Sequence, residues 1–574
     1  MQKRWVLVPK TDQEKSVQLQ KELGIQRVLA DLLINREIQT FEQAKSFFRP
    51  SLNSLHDPFL MQDMDLAIAR IERAIGQNES ILIYGDYDVD GTTAVSLVFG
   101  FFRQFHTRIE YYLPDRYSEG YGLSTTGIDY AAENGVTLII TLDCGIKAND
   151  RVAYANTKGI DVIIADHHLP GDELPPAYAV LDPKRSDCAY PYKELSGCGI
   201  GFKLVQAFII KNQMDPEGVY QYLDLVAVSI ASDIVAITGE NRVLAHFGLQ
   251  KLNNNPCCGL QALIELSANR KGPITISDIL FQLGPRINAA GRIEHARDAV
   301  RLLLSKSMQE AAQYGDDIDE QNTQRKDFDL RITEEAYDLV ELDAQQHNGA
   351  AVSRRSTVLY KEDWHRGVIG IVASRLVERY YRPTVILTRT EAHVTGSARS
   401  IAGFDLYEAL SQCSELLDQY GGHKYAAGLT MKPENIRQFQ DRFEEIVASQ
   451  LTDDMMVPEI TIDSEIKLNE FDARMFRILK QFEPFGPQHE QPVFLSRGLQ
   501  VYGFAQVVGD RHLKMQVQQN GSSLFSCIGF GLGEHVTTIN SGASFDLCYV
   551  LEENNWRNKR NLQLNIKDIR FNEA

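Results

Sequence analysis

Residues Ile81–Thr93, ILIYGDYDVDGTT, join an apolar run to three aspartates on alternate positions, Asp86, Asp88 and Asp90, followed by Gly91 and two threonines. No other stretch constrains the chain so tightly. Side chains two apart in an extended segment point the same way, so Asp86 and Asp88 are expected to project together from the end of a buried strand. Two adjacent carboxylates repel unless a cation neutralises them. A turn at a strand end uses the same residue types, and one D-x-D-x-D-G does not separate the two readings. Recurrence does. VTLIITLDCG stops at Asp143, DVIIADHH at Asp166, His167 and His168, and the apolar LDLVAVSIASD carries Asp233.

The strand candidates ILIYGD, RIEYYLP, VTLIITLD, DVIIAD and AYAVLDP alternate with the helix-like TTAVSLVFGFF, TTGIDYAAEN and GIGFKLVQAFIIK. That alternation predicts an α/β fold with a doubly wound parallel sheet, which binds ligands at the carboxyl ends of its strands. Acid and imidazole groups delivered there from separate strands would converge on one crevice. Hard oxygen ligands mixed with neutral imidazole suit Mg²⁺ or Mn²⁺, with histidine pulling the preference towards Mn²⁺. Neither G-x-G-x-x-G nor G-x-x-x-x-G-K-[ST] occurs, which removes the dinucleotide and P-loop readings.

A chain of 574 residues is too long for one core and implies about three or four domains. The expected division is a helical segment over 1–75, the metal-site domain over 76–240, a connecting region with a long helix over 241–345, a second α/β unit over 346–457 and a β-rich unit over 458–574. Thr40 is the expected N-cap of FEQAKSFF. The eight cysteines form no C-x-x-C pair and read as reduced and structural. MQKRWVLVPKTDQEK lacks a signal-peptide apolar core, and no apolar run is long enough for a membrane span, so a cytoplasmic location is expected. The net charge of −18, from 59 basic and 77 acidic residues, argues against coating duplex DNA but leaves room for a local basic groove. Asp86, Asp88, Asp143 and Asp233 contribute −4 of it, which two divalent ions would balance.

Other segments carry weaker signals. In YYLPDRYSEGYG, Arg116 is flanked by Tyr111, Tyr112, Tyr117 and Tyr121, a pairing that suits phosphate and stacked bases and equally the edge of a strand. Arg286 and Arg292 bracket a small-residue stretch in FQLGPRINAAGRIEHARDAV. In GGHKYAAGL, Gly421 and Gly422 precede His423 and Lys424, letting backbone approach an anion, while glycines ahead of a helix would serve as caps. Ser397 and Arg399 in GSARS form another phosphate-sized pair. After Pro458, short alternating strands with an Asn520-Gly521 hairpin signal predict a small barrel of the oligonucleotide-binding type.

Taken in order, GDYDVDGTT, LDCG, ADHH and ASD resemble the strand-end motifs of the DHH phosphoesterase superfamily. With GPRINAAGR, GGHKYAAGL, FEPFGPQHEQPVF and the C-terminal β-domain, the likeness extends along nearly the whole chain to the bacterial single-strand-specific exonuclease branch of that superfamily. The resemblance implies DHH and DHHA1 domains facing each other across a groove, joined by a long helix, with a C-terminal OB-type β-barrel. It implies metal ligands at Asp86, Asp88, Asp143, His167, His168 and Asp233, holding two Mn²⁺ or Mg²⁺ ions, with Asp90 and Asp166 behind them. His423 and its glycines would hold DNA backbone, Arg116, Ser397 and Arg399 would receive a 5′-terminal phosphate, and Arg286 and Arg292 would line the groove. The implied activity is 5′→3′ hydrolysis of single-stranded DNA to 5′-mononucleotides in recombination and repair, beside a helicase and a single-strand-binding protein. One departure stands out: many DHH enzymes carry histidine two residues before the first aspartate, where this chain has Tyr84, which predicts a weaker second metal site. Two other readings share the metal motifs: an oligoribonuclease or cyclic-dinucleotide phosphodiesterase, and a non-catalytic single-strand-binding scaffold.

Overall fold

The structure is a computed structural model describing residues 3–9, 12–267, 272–346, 354–556 and 559–571. It divides into two compact units, one of Leu7–Asp319 with Thr461–Ala574 and one of Glu320–Ile460 with Met1–Val6.

The first unit is built on five parallel strands, β1 (Ser80–Gly85), β2 (Ile109–Tyr112), β3 (Val136–Leu142), β4 (Asp161–Ala165) and β5 (Ala179–Leu181), in the order β2-β1-β3-β4-β5. The chain leaves β1 for one edge and returns to β3 on its other side, so the topological switch point lies between β1 and β3. Strand residues alternate between two cores: Ile81 and Ile83 pack on one face, Leu82 and Tyr84 on the other. Burial on both faces is why these strands read as unbroken apolar runs.

Register matters most for the site. Gly85 pairs with Leu142, and Leu142 with Ala165. Three strands therefore end level, and the next residue of each is Asp86, Asp143 or Asp166.

Helix α1 (Val89–Phe102) follows β1, while α2 (Gly197–Lys211) and α3 (Leu223–Ser232) complete the core on one face. The last is buried from Leu223 to Ala231, and a helix buried on every side looks like a buried strand in sequence. Asp233 therefore sits at a helix C-terminus, as the C-cap of α3, and not on a strand end as expected.

The boundaries inferred at 75 and 240 do not follow the packing. Leu19, Leu29, Leu33 and Ala44 share a core with Phe494, Leu513 and Phe545 of the C-terminal β-domain, whereas helix Met64–Gly76 packs into the parallel-sheet core. Helices Gly239–Asn254 and Cys258–Leu266 belong to that second core as well, so the region after 240 is more than a connector. Thr40 does cap Phe41–Phe48, in a reciprocal box with Gln43.

In the C-terminal domain Val493–Val501 pairs with Phe545–Trp556, that strand with Lys559–Phe571, that with Phe525–Gly529 and that with His512–Gln518, and Gln500 and Val501 close the ring on Gln518 and Val517. A closed five-stranded barrel is the OB architecture. Asn520 and Gly521 both take positive φ, as a tight hairpin requires.

In the second unit, strands Thr357–Tyr360, Thr384–Arg389, Val394–Arg399, Gln419–Gly422 and Ala426–Met431 form a mixed sheet in which only the first pair is parallel. The long polar run expected over about 305–345 is one helix, Met308–Gln346. All eight cysteines are free thiols. Among the described residues no helix is long and apolar enough to cross a membrane.

Candidate metal centre

The strand row presents its carboxylates at the switch point, and the loop after β1 adds two more. The chain turns sharply after Gly85, so Asp86 lies in a loop, Asp88 is the N-cap of α1 accepting from the Gly91 amide at 3.1 Å, and Asp90 lies in the first helical turn. The alternate spacing is thus realised by a strand–loop–helix turn and not by one extended segment. Gly91 makes the turn possible: a Cβ there would stand 2.4 Å from the Asp86 carbonyl oxygen.

Three overlapping groups of ligand atoms result, each lying within 4.8 Å of one another: Asp86, Asp88 and Asp143; Asp90, His167 and Asp233; Asp143, Asp166, His167 and His168. Asp143 and His167 each belong to two of them. Asp143 takes a left-handed φ of 61°, uncommon for a residue with a side chain.

These atoms repel as they stand. Burial, and then the charge of Asp88, push the Asp86 carboxyl well above its ordinary range, and burial followed by Asp90 does the same to Asp143 and Asp233. Burial holds the His167 imidazole below its usual value, which favours the neutral, metal-binding form.

A divalent cation fits this donor set. Asp86 Oδ1, Asp143 Oδ1 and both ring nitrogens of His167 are buried without a hydrogen-bond partner. His167 Nε2 nevertheless lies 3.1 Å from Asp143 Oδ1 and 3.6 Å from Asp233 Oδ2. Lone pairs gathered at hydrogen-bonding distance without hydrogen-bonding geometry are what a shared cation requires.

Asp166 holds its neighbours in place. Its Oδ1 accepts from the His167 amide at 2.7 Å and from His168 Nδ1 at 2.7 Å, and its Oδ2 accepts from the Ile146 amide at 3.0 Å. Burial works against ionising Asp166, yet the hydrogen bond and charge of His168, with the His167 charge and the Ile146 amide, together outweigh it and bring the carboxyl down to about 2. His168 rises in turn to about 9, its burial offset chiefly by the same bond.

Asp90, expected behind the ligands, lies close to them. Its Oδ2 is 3.8 Å from His167 Nε2, within a ligand group. It also accepts from the amides of Gly197 and Cys198 and from Ser229 Oγ, each at 2.7 Å. The α2 N-terminus thus holds this carboxylate in position. Sequence reasoning missed Ser196, Gly197 and Cys198, although the small-residue run SGCG ahead of an apolar helix carries a capping signal, and Ser196 does accept from the Gly199 amide.

Tyr84 points away from the acidic cluster, into the opposite core. Its hydroxyl donates to the Gly122 carbonyl at 3.0 Å and accepts from the Ser124 amide at 3.1 Å, and its ring stacks on Tyr112. Here it fastens a loop.

Arg116 lies over the ring of Tyr87, 4.7 Å from its centroid, and is not sandwiched by its sequence neighbours. Tyr121 meets Tyr87 and His168 edge-on and donates to the Asp143 carbonyl at 3.1 Å. Arg286 is taken up structurally, pairing with Asp319 at 2.8 Å and donating to the Gln282 carbonyl. Helix Gly284–Ile293 brings Gly291 against the acidic loop, where a Cβ would stand 2.7 Å from the Tyr87 carbonyl oxygen. Arg292, the next residue, accepts the Tyr117 hydroxyl on its carbonyl.

In the second unit Arg399 Nη1 donates to Ser397 Oγ at 3.1 Å, and a Cβ on Gly370 would meet Ser397 Oγ at 2.8 Å and Arg399 Nη2 at 2.9 Å. Both side chains thus converge beside the start of helix Ile369–Tyr380. Gly421 and Gly422 lie in a hairpin strand and are no helix cap: Gly428 pairs with Gly421 on one side and Ser397 on the other. His423 donates its amide to the Ala426 carbonyl at the hairpin end.

Comparison with known proteins agrees with this layout. The DHH family N-terminal domain matches residues 80–230, the DHHA1 domain residues 353–449 and the RecJ OB domain residues 462–568. A single-stranded-DNA-specific exonuclease RecJ from Bacillus subtilis is 37% identical over 573 residues, 99% of this chain and 71% of the relative. Its namesake in Salmonella typhimurium is 34% identical over 526 residues, 89% of this chain and 90% of the relative. The chain belongs to the RecJ family. The crystal structure of RecJ from Thermus thermophilus in complex with Mn²⁺ superposes with a TM-score of 0.85 at 26% identity, covering 100% of this chain and 80% of that one. The same RecJ has also been solved with Mg²⁺, so both cations named for the site are found with RecJ-family structures.

Proposed function

We propose that this RecJ-family chain is a metal-dependent exonuclease acting on single-stranded DNA, as its relatives' names state of them. The observation that carries the reading is the buried set of carboxylate and imidazole atoms, unpaired and converging at the switch point of the parallel sheet. Asp86, Asp88 and Asp143 would hold one cation, and Asp90, His167 and Asp233 a second. Bound there, divalent cations supply Lewis acidity, neutralising the scissile phosphate and activating the attacking water. Asp166 orients the two histidines, and His168 is assigned to the same ligand group.

The remaining assignments concern the strand. Arg116 and Arg292 would contact phosphates near the metal loop, and Ser397 and Arg399, with the hairpin of Gly421, Gly422 and His423, would receive the 5′ end. The 5′→3′ polarity and release of 5′-mononucleotides rest on the likeness to the RecJ relatives. The OB-type barrel supports long single strands as substrate over dinucleotides, and the retained acidic set supports catalysis over scaffolding. A helicase and a single-strand-binding protein are the partners this reading calls for, since duplex must be opened first, and the cytoplasm is the compartment where that occurs.

Replacing Asp143 by alanine tests the reading. Hydrolysis of end-labelled single strands should fall by at least about a thousandfold while strand binding stays within a few fold, and unchanged turnover would exclude the assignment. Labelling each end in turn reads the polarity.

A further inference from the structure

A chain with a net charge of −18 has acids to spare, yet one hollow gathers cations without them. It measures about 770 Å³ and lies where the N-terminal helices Gln13–Leu23 and Phe41–Phe48 meet helix Ala473–Lys480. Lys45, Arg49, Arg474 and Arg477 line it, and no aspartate or glutamate does. Lys45 pairs at 3.6 Å with the exposed Glu42, while the three arginines have no ion-pair partner among the described residues.

Helix ends account for part of this cluster. Lys45 and Arg477 lie in last turns and Arg49 is a C-cap, positions where the helix dipole favours positive charge. Arg474 is different. It is the second residue of its helix, where the same dipole opposes it, and Arg477 three positions on adds like-charge repulsion. Arg474 is nevertheless fixed in place, donating from Nη2 to the Gly24 carbonyl at 2.6 Å. The Gln26 side-chain amide fastens the same helix through Asp472 at 3.2 Å.

The floor is apolar. Leu23, Ile25, Phe48 and Ile478 are half-buried, resting on the core that the N-terminal helices share with the barrel and facing the hollow. Phe41 lines it too and is 44% exposed.

We propose that this hollow docks an acidic segment of a partner protein, with apolar side chains seated on the floor and carboxylates held by the cations. Charge complementarity sets the sign, because only an anion neutralises a cluster that this chain leaves uncompensated. The floor sets the class. Nucleic acid places phosphates along a cationic groove and stacks its bases on aromatic faces, whereas Leu23, Ile25 and Ile478 are aliphatic and sunk in a hollow, a shape that suits the side-chain anchors of a peptide. Guanidinium forks bind carboxylates in bidentate pairs, which favours arginine for the acidic part. None of these residues belongs to the ligand groups of the metal centre, so docking here is independent of the nuclease reading.

The test pans a phage-displayed library of random dodecapeptides on the full chain. Binding of the enriched peptides is then measured by fluorescence anisotropy for the wild type, for the Arg474→Glu, Arg477→Glu double variant and for Phe41→Ser. All three altered positions are exposed, and thermal melting shows whether the fold is intact; should charge reversal unfold the chain, Phe41→Ser decides alone. Enriched peptides are expected to combine Asp or Glu with Leu, Ile or Phe. Their affinity should fall at least about tenfold on charge reversal, about three- to tenfold in Phe41→Ser, and again as NaCl rises from about 50 to 500 mM. Docking is overturned if no such peptide is enriched, or if the enriched peptides bind the variants as tightly as the wild type. It is equally overturned if a thymidine oligonucleotide, bound in EDTA, displaces the peptide and loses affinity on charge reversal, which would make the hollow a nucleic-acid site.

Discussion

Replacing Gly291 by alanine tests whether its helix sets the position of the acidic loop. The new Cβ would stand 2.7 Å from the Tyr87 carbonyl oxygen, whereas a comfortable carbon–oxygen contact is about 3.4 Å. Helix or loop must therefore retreat by about 0.7 Å. Helix propensity favours the alanine by about 1 kcal/mol, against about 1–3 kcal/mol for forcing a methyl into a packed site. The net cost to stability is about 0–2 kcal/mol, a fall of at most several degrees in Tm.

Activity should suffer far more. Tyr87 lies between Asp86 and Asp88, so the displacement reaches both carboxylates, and misplacing catalytic groups on this scale costs on the order of 10- to 100-fold. Turnover of end-labelled single strands, Mn²⁺ affinity by calorimetry and thermal melting would be measured together. Gly76→Ala is the control, because a Cβ on Gly76 meets nothing within 4 Å. The reasoning fails if Gly291→Ala turns over its substrate within about twofold of wild type, or if its activity is lost only together with the fold.

Three further outcomes are expected. Burial holds His489 down at about 4 while its Nε2 donates to the Phe482 carbonyl at 2.7 Å. It stays neutral in the folded chain and charges in the unfolded chain below about pH 6.5, so stability is complete above that pH and falls as pH drops towards 4, by about 2 kcal/mol at pH 5. His489→Gln keeps a donor but cannot titrate, and should flatten that slope in amide exchange of residues 482–489; equal slopes in both proteins would refute it. Arg399→Ala should weaken capture of 5′-phosphorylated strands by about tenfold, and an equal loss on strands lacking that phosphate would point to general backbone binding. Asp90→Asn should weaken Mn²⁺ binding about 10- to 100-fold, whereas unchanged affinity would show that Asp90 neither binds the cation nor positions its ligands.

Much of the metal centre was legible because its residues follow apolar strands, whose period and burial are written in the sequence. Asp86, Asp143 and Asp166 emerge side by side because Gly85, Leu142 and Ala165 share one row. Asp233 was found through its apolar run but assigned the wrong element, since an all-buried helix and a buried strand have the same composition. The anchoring of Asp90 was hidden because it depends on amides of α2 more than 100 positions later. Arginines were the least legible: whether a guanidinium meets a carboxylate, as Arg286 meets Asp319, or an aromatic ring, as Arg116 meets Tyr87, depends on tertiary neighbours. The role of Gly291 was invisible for the same reason. The union of the N-terminal helices with the barrel core was hidden too, because a non-local interface leaves no periodic trace in either segment.

The most direct measurement is anomalous scattering at the manganese edge from crystals soaked in Mn²⁺. Two peaks are expected, one bound by Asp86, Asp88 and Asp143 and the other by Asp90, His167 and Asp233, with oxygen and nitrogen ligands at about 2.0–2.3 Å. A map with no peak at the carboxyl ends of β1 and β3, or with manganese bound only elsewhere, would contradict the account.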